Sequence, residues 1–328
     1  MRKAAYAGGV LGLVLLVALF IRVDFAAMIQ TLGSGGLMLL WLVPYRALFF
    51  FLYAACWLTL LRPYDPERRV GLGYIFWATT VREAIDRLLP VASVGGGVVG
   101  VRLLRWRGFA AGPAGASVII EIVLTLVVLY VFTALGLLLL IHVDAGGQEY
   151  RRLFLALLFA LPVPVATVLL LRYGAVFQRI QGLLRLFVGD RALYDGAASL
   201  DHEVRAYFRR GWTLAIAGTL QFAALVSGSF EVWFALSLFG HPVSARTALA
   251  LESMTQAVRH LAFVVPAGLG VQEAGLVIFG QVLGINSELA LAVSMAKRMR
   301  EVLCGLPALV SWQWLEGQRL QRLMRNVS

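Results

Sequence analysis

Residues 245–284 read ARTALALESMTQAVRHLAFVVPAGLGVQEAGLVIFGQVLG. The stretch is apolar enough to lie in a bilayer, yet it carries Glu252, Arg259 and Glu273. Glu252, Gln256 and Arg259 are spaced i, i+4, i+7, so a helix aligns them on one face. Pro266, Gly268 and Gly270 then predict a break, followed by a second short apolar piece at 271–284. A longer segment at 287–315 adds Lys297, Arg298, Arg300 and Glu301, with Lys297 and Glu301 four residues apart. Charges cannot face lipid cheaply, so this region is expected to be the polar interior of a membrane bundle.

The rest of the chain agrees. It is 60% hydrophobic over 328 residues, with a mean hydropathy of +0.81. Several stretches reach the roughly 20 apolar residues that cross a bilayer. An all-α, polytopic helical bundle forming one integral membrane domain over 1–328 is therefore expected. Two cysteines, Cys56 and Cys304, both fall in apolar helices and suggest neither a disulfide nor a metal site. The four histidines are far apart, no HExxH is present, and the glycine run at 95–97 lacks the phosphate-loop form. No metal, cofactor or nucleic acid is expected.

Division of the +11 net charge by location is informative. Glu83, Asp86, Glu121, Glu231, Glu252, Glu273 and Glu301 fall inside hydrophobic segments, as do Arg46, Arg82, Arg87, Arg259, Lys297, Arg298 and Arg300. The two sets balance. The excess belongs to loops and tails, as expected of a protein facing anionic lipid. Arg2/Lys3, Arg62/Arg68/Arg69, Arg102/Arg105/Arg107, the arginines between 172 and 210 and Arg319/Arg322/Arg325 predict cytoplasmic segments, with both termini inside a bacterial inner membrane. The loops near 22–35, 142–150 and 239–246 are poorer in them, Arg151 and Arg152 excepted. Six crossings fit, at 4–21, 36–61, 114–141, 153–172, 211–238 and 287–315. Residues 173–210 are expected to form a cytoplasmic amphipathic linker.

A second broken piece lies at 71–108, GLGYIFWATTVREAIDRLLPVASVGGGVVGVRLLRWRG. Arg82 and Asp86 have the i, i+4 spacing of an ion pair. Pro90, with Gly95 and Gly96 beyond it, predicts an end to that helix and a restart. The chain then divides into an N-terminal half, 1–141 with a hairpin at 72–105, and a C-terminal half, 211–328 with a hairpin at 245–284. Opposed hairpins of this kind are the usual construction of secondary transporters.

The 251–284 sequence, followed by SMAKRMREVLCGLPALVSW at 294–312, resembles the lysylphosphatidylglycerol synthase transmembrane region, a flippase-like family. Within it the chain looks most like the HpnL-type, hopanoid-associated membrane proteins, and REAIDRLLPVASVGGGVVGVRLLRWRG resembles the family's N-terminal signature. The resemblance implies a protein acting on membrane lipid, hopanoid or anionic phospholipid, beside lipid-biosynthesis enzymes. Bifunctional relatives carry a separate aminoacyl transferase domain; no stretch here has that size, so transferase activity is not expected. Gly97 stands where such proteins are often acidic, and Asp86 where asparagine is expected. The lipid-site candidates are Arg82, Asp86, Glu252, Gln256, Arg259, Glu273, Lys297, Arg300 and Glu301. Three functions remain open at this point: a lipid transporter, a non-transporting scaffold for lipid-modifying enzymes, and an integral-membrane transferase.

Overall fold

A computed structural model describes residues 30–31, 33–89, 95–143, 155, 162–174, 191–262, 265 and 268–325. The expected first span at 4–21, most of the loop 142–150, Pro90, Pro266 and residues 175–190 of the linker lie outside the described residues. The described structure is all-α, without strands. In order it comprises α1 (Leu42–Leu61), α2 (Leu72–Leu88), α3 (Gly95–Trp106), α4 (Ala111–Val143), α5 (Pro162–Tyr173), α6 (Arg191–Phe208), α7 (Gly211–Leu238), α8 (Ala245–Leu261), α9 (Val271–Val282) and α10 (Ser287–Arg325).

Three stretches are long and apolar enough to cross a membrane: Gly33–Tyr64, Ala111–Leu140 and Gly211–Leu238. They cover the crossings expected at 36–61 and 211–238 and all but the last residue of the one at 114–141. Their apolar residues run round the whole helix rather than along one face, as in helices that meet lipid on one side and protein on the other. Of the crossing expected at 153–172, the described residues are Leu155 and those of the short apolar helix α5. The one expected at 287–315 lies within α10, a single helix of 39 residues whose buried middle is charged.

Side-chain contacts show which helix ends lie together. At one end Tyr207 donates to the Leu60 carbonyl at 2.8 Å, and the Arg210 guanidinium lies 4.7 Å from the Tyr64 ring. At that end Arg69 donates to the Gly108 carbonyl at 2.8 Å, and Arg319 covers Trp106 at 5.2 Å. The opposite end holds the α7–α8 turn, where Trp233 donates to the Val243 carbonyl at 3.0 Å, and the α9–α10 turn. Ser244 caps α8 there, accepting from Thr247 N–H at 3.1 Å.

Helices α2 and α3 leave the first end and return to it, lying antiparallel with Tyr74 donating to the Leu103 carbonyl at 2.8 Å. Helices α8 and α9 do the same from the other end, Gly275 packing on Thr255. Leu89 is extended (φ −100°, ψ 145°), as a residue before proline prefers, and this ends α2. At the second break Gly268 (φ +60°) and Gly270 (φ +75°) turn the chain into α9 through backbone angles that favour glycine.

Two main apolar cores stack along the bundle. One joins Leu42, Leu236, Leu251, Leu276 and the α10 stretch from Leu289 to Ala296. The other joins Trp57, Leu61, Ile75, Leu103 and Ala308 further along α10. Between them α10 carries Pro307, which cannot donate to the carbonyl one turn back.

Candidate functional site

The charges in the membrane helices are joined into networks across the bundle. Glu273 of α9 accepts from Arg298 Nε at 3.1 Å, and Arg298 also reaches Glu301 at 3.3 Å within α10. Glu301 meets Arg87 of α2 at 3.3 Å, and Arg87 meets Glu83 one turn earlier at 2.9 Å. Glu83 meets Arg46 of α1 at 3.5 Å, and Arg46 stands 4.0 Å from Glu231 of α7. Glu231 is gripped by Arg300 through two bonds of 2.8 and 3.3 Å, the forked geometry that favours arginine over lysine. Four acids and four bases thus alternate in one electrically neutral chain.

Two further pairs stand apart from this chain. Lys297 donates to Glu252 at 2.7 Å, with both side chains only 4% exposed, and Gln256 donates to the same carboxylate at 2.7 Å. Arg82 donates to Glu121 of α4 at 2.6 Å while its guanidinium lies 4.3 Å from the Trp57 ring.

This last pair corrects the expectation that Arg82 would pair with Asp86. Arg82 points toward α1 and α4. Asp86, one turn later, accepts instead from the Gly96 backbone N–H at 2.9 Å. It caps the free amides of the restarted helix α3, where an anion is favoured. The fit is close: a Cβ on Gly96 would lie 2.6 Å from the Arg82 carbonyl oxygen. Gly95 opens the same helix.

Arg259 takes none of the three acids of its C-terminal unit: Lys297, Arg298 and Arg87 pair with Glu252, Glu273 and Glu301. Arg259 is half-buried, its stem against Gly268, and makes no ion pair to a described residue. Glu273 lies in the first turn of α9, where its Oε1 accepts from Arg298 and Ser294, and Gly270 stands at the cap without a side-chain bond. Of the seven acids and seven bases expected inside apolar segments, Asp86 and Arg259 alone lack an ion pair among the described residues. Each sits at one of the two helix breaks.

A cavity of about 210 Å³ opens beside the long network, between α1, α2 and α10. Its lining combines the charged Arg46, Glu83, Arg87, Arg300 and Glu301 with the apolar Ala47, Phe50, Phe76, Ala84 and Gly305. Of the expected site residues, the cavity gathers Arg300 and Glu301. Arg82, Asp86, Glu252, Gln256, Arg259, Glu273 and Lys297 do not line it. Arg46, Glu83 and Arg87 were legible as charges in apolar segments and were not singled out. The Glu83–Arg87 spacing was as good a signal as Arg82–Asp86.

No curated relative and no solved structure matches this chain. The sequence model described as the lysylphosphatidylglycerol synthase TM region matches residues 6–307, and the chain, a multi-pass membrane protein, belongs to that family.

Proposed function

We propose that this protein is a flippase-like translocator that carries a membrane lipid headgroup between the leaflets. The observation that supports it best is the cavity, lined by charged side chains together with aromatic and aliphatic ones and set among membrane helices. Leu303 and Leu306 of α10 are exposed next to its lining residues Cys304 and Gly305, so acyl chains have an apolar surface to follow while the headgroup is inside. The two hairpins, starting from opposite ends of the bundle, support inverted halves that rock about a central site. The arginine-rich end supports a cytoplasmic placement of both termini in an inner membrane. Hopanoid and anionic phospholipid are lipids to test first, on the family resemblance.

The second reading is a scaffold that organises lipid-modifying or hopanoid-synthesis enzymes. It draws on the closure of the ion pairs, which leaves most of the buried charge satisfied without a substrate. One experiment separates the two. The purified chain is reconstituted into vesicles holding a tail-labelled fluorescent phospholipid, and a membrane-impermeant quencher follows its arrival at the outer leaflet. A translocator accelerates arrival in proportion to protein, and Glu83→Gln with Arg87→Gln abolishes the effect in a protein that stays monodisperse. Arrival at the protein-free rate for phospholipid and hopanoid probes alike rejects translocation.

A further inference from the structure

The order of charges on the cavity wall selects among headgroups. Arg46, Glu83, Arg87 and Glu301 follow one another with alternating sign at 3.5, 2.9 and 3.3 Å, so each guanidinium has a carboxylate beside it. The remaining wall cation, Arg300, is held by both oxygens of Glu231 and has little to give an incoming group. The whole network is neutral. A headgroup with net charge therefore adds an ion that no wall charge compensates, at a cost among membrane helices. A headgroup carrying both signs adds none. It can slide between the pairs, its anionic end meeting the guanidinium groups and its cationic end the carboxylates.

Two details fit this exchange. Arg46 Nε is buried with no hydrogen-bond partner among the described residues, so this guanidinium has bonding capacity that its ion pairs leave unused. Glu83 is the more exposed of the two wall carboxylates, 29% against 3% for Glu301, and is the one an ammonium reaches first.

Resting on the translocator reading above, we propose that the substrate is a zwitterionic lipid with an ammonium and a phosphate in one headgroup. The phosphate lies on Arg46 and Arg87, the ammonium on Glu83 and Glu301, and the glycerol end on Phe50 and Phe76. This departs from both lipids named from the sequence. An anionic phospholipid supplies one sign only, and a polycyclic lipid without a dipolar head leaves the charged wall unused.

The test uses the full chain in vesicles of phosphatidylethanolamine and phosphatidylglycerol. Trace tail-labelled phosphatidylethanolamine, phosphatidylglycerol or lysyl-phosphatidylglycerol is followed with the impermeant quencher. Every tracer competes with the same host lipid, so the ratio of initial rates is the ratio of kcat/KM. The expected result is that the zwitterionic tracer moves at least tenfold faster than either net-charged one. Glu83→Gln leaves the wall one negative charge short and should raise the phosphatidylglycerol rate, relative to phosphatidylethanolamine, at least tenfold. A wild-type protein that moves either charged tracer as fast as the zwitterionic one overturns the inference and leaves the translocator standing. An unchanged ratio in folded Glu83→Gln also overturns it. If no tracer moves, the translocator reading falls and takes the inference with it. Should the variant fail to fold, the wild-type rates decide alone.

Discussion

Lys297 and Glu252 are the cleanest place to measure what a buried pair contributes here. The ammonium and carboxylate are 2.7 Å apart and almost fully enclosed. At an effective dielectric of about 20 their attraction is about 6 kcal/mol, most of it offset by the cost of stripping water from both. Replacing Lys297 by Met leaves the carboxylate buried and unpaired, a change that costs about 3–5 kcal/mol in general. Gln256 still donates to Glu252 at 2.7 Å, so the loss belongs at the lower end, about 3 kcal/mol. Glu252→Gln strands the ammonium instead and should cost a similar amount. The double variant buries no charge and should recover to within about 1 kcal/mol of the wild type, since replacing both members of such a pair is often nearly neutral. Thermal unfolding in detergent, read by tryptophan fluorescence across all four proteins, gives the coupling energy. Two single losses that simply add in the double variant would refute the pairing argument, as would a Lys297→Met protein of wild-type stability.

Three other outcomes are expected. Arg259→Gln should stay monodisperse with wild-type thermal stability, because no described carboxylate depends on it; a variant that melts well below wild type contradicts this. Asp65, in the loop after α1, is pushed up by burial, but the N–H groups of Val70 and Arg69 and the Arg69 guanidinium more than offset this and leave its pKa lowered. A carboxylate depressed in the folded state stabilises above its unfolded value near 3.8 and loses that contribution as pH falls through the folded value. Asp65→Asn should therefore melt below wild type at neutral pH, with the gap closing only at pH below about 4; a gap that does not change with pH contradicts the assignment. For orientation, cysteine at His241 should react with an impermeant maleimide on intact spheroplasts, and cysteine at Glu67 only after lysis, both in a Cys304→Ser background. The reverse pattern inverts the topology.

Much of the fold could be read from the chain because its signals are local. Apolar length marked the spans at 36–61, 114–141 and 211–238, and Gly268 and Gly270 marked the turn into α9. The roster of buried charges was legible for the same reason, since an arginine or glutamate in an apolar run stands out wherever it goes. Partner choice was not legible. Arg82–Asp86 and Glu83–Arg87 have identical spacing, yet only the second forms a pair. The difference is made by Glu121 and Trp57, which belong to other helices and draw Arg82 away. Arg259 shows the same dependence on packing: three acids lie within its own C-terminal unit, and each pairs with a cation on α2 or α10. The cavity was out of reach too, because Arg46, Glu83 and Glu301 come from three separate segments that only packing brings together.

The length of α10 has a mechanical consequence. Thirty-nine residues make a rod of about 58 Å, almost twice the hydrocarbon thickness of a bilayer. The rod has its weak point at Pro307, next to the cavity wall formed by Cys304 and Gly305. From there to Arg325 the arm is about 27 Å. A bend of about 10° at the proline would swing the far tip by about 5 Å. Displacements too small to see at the cavity would thus be magnified at the arginine-rich end. A spin label on Gln318 is accordingly a better gauge of what the pocket is doing than any probe placed inside it.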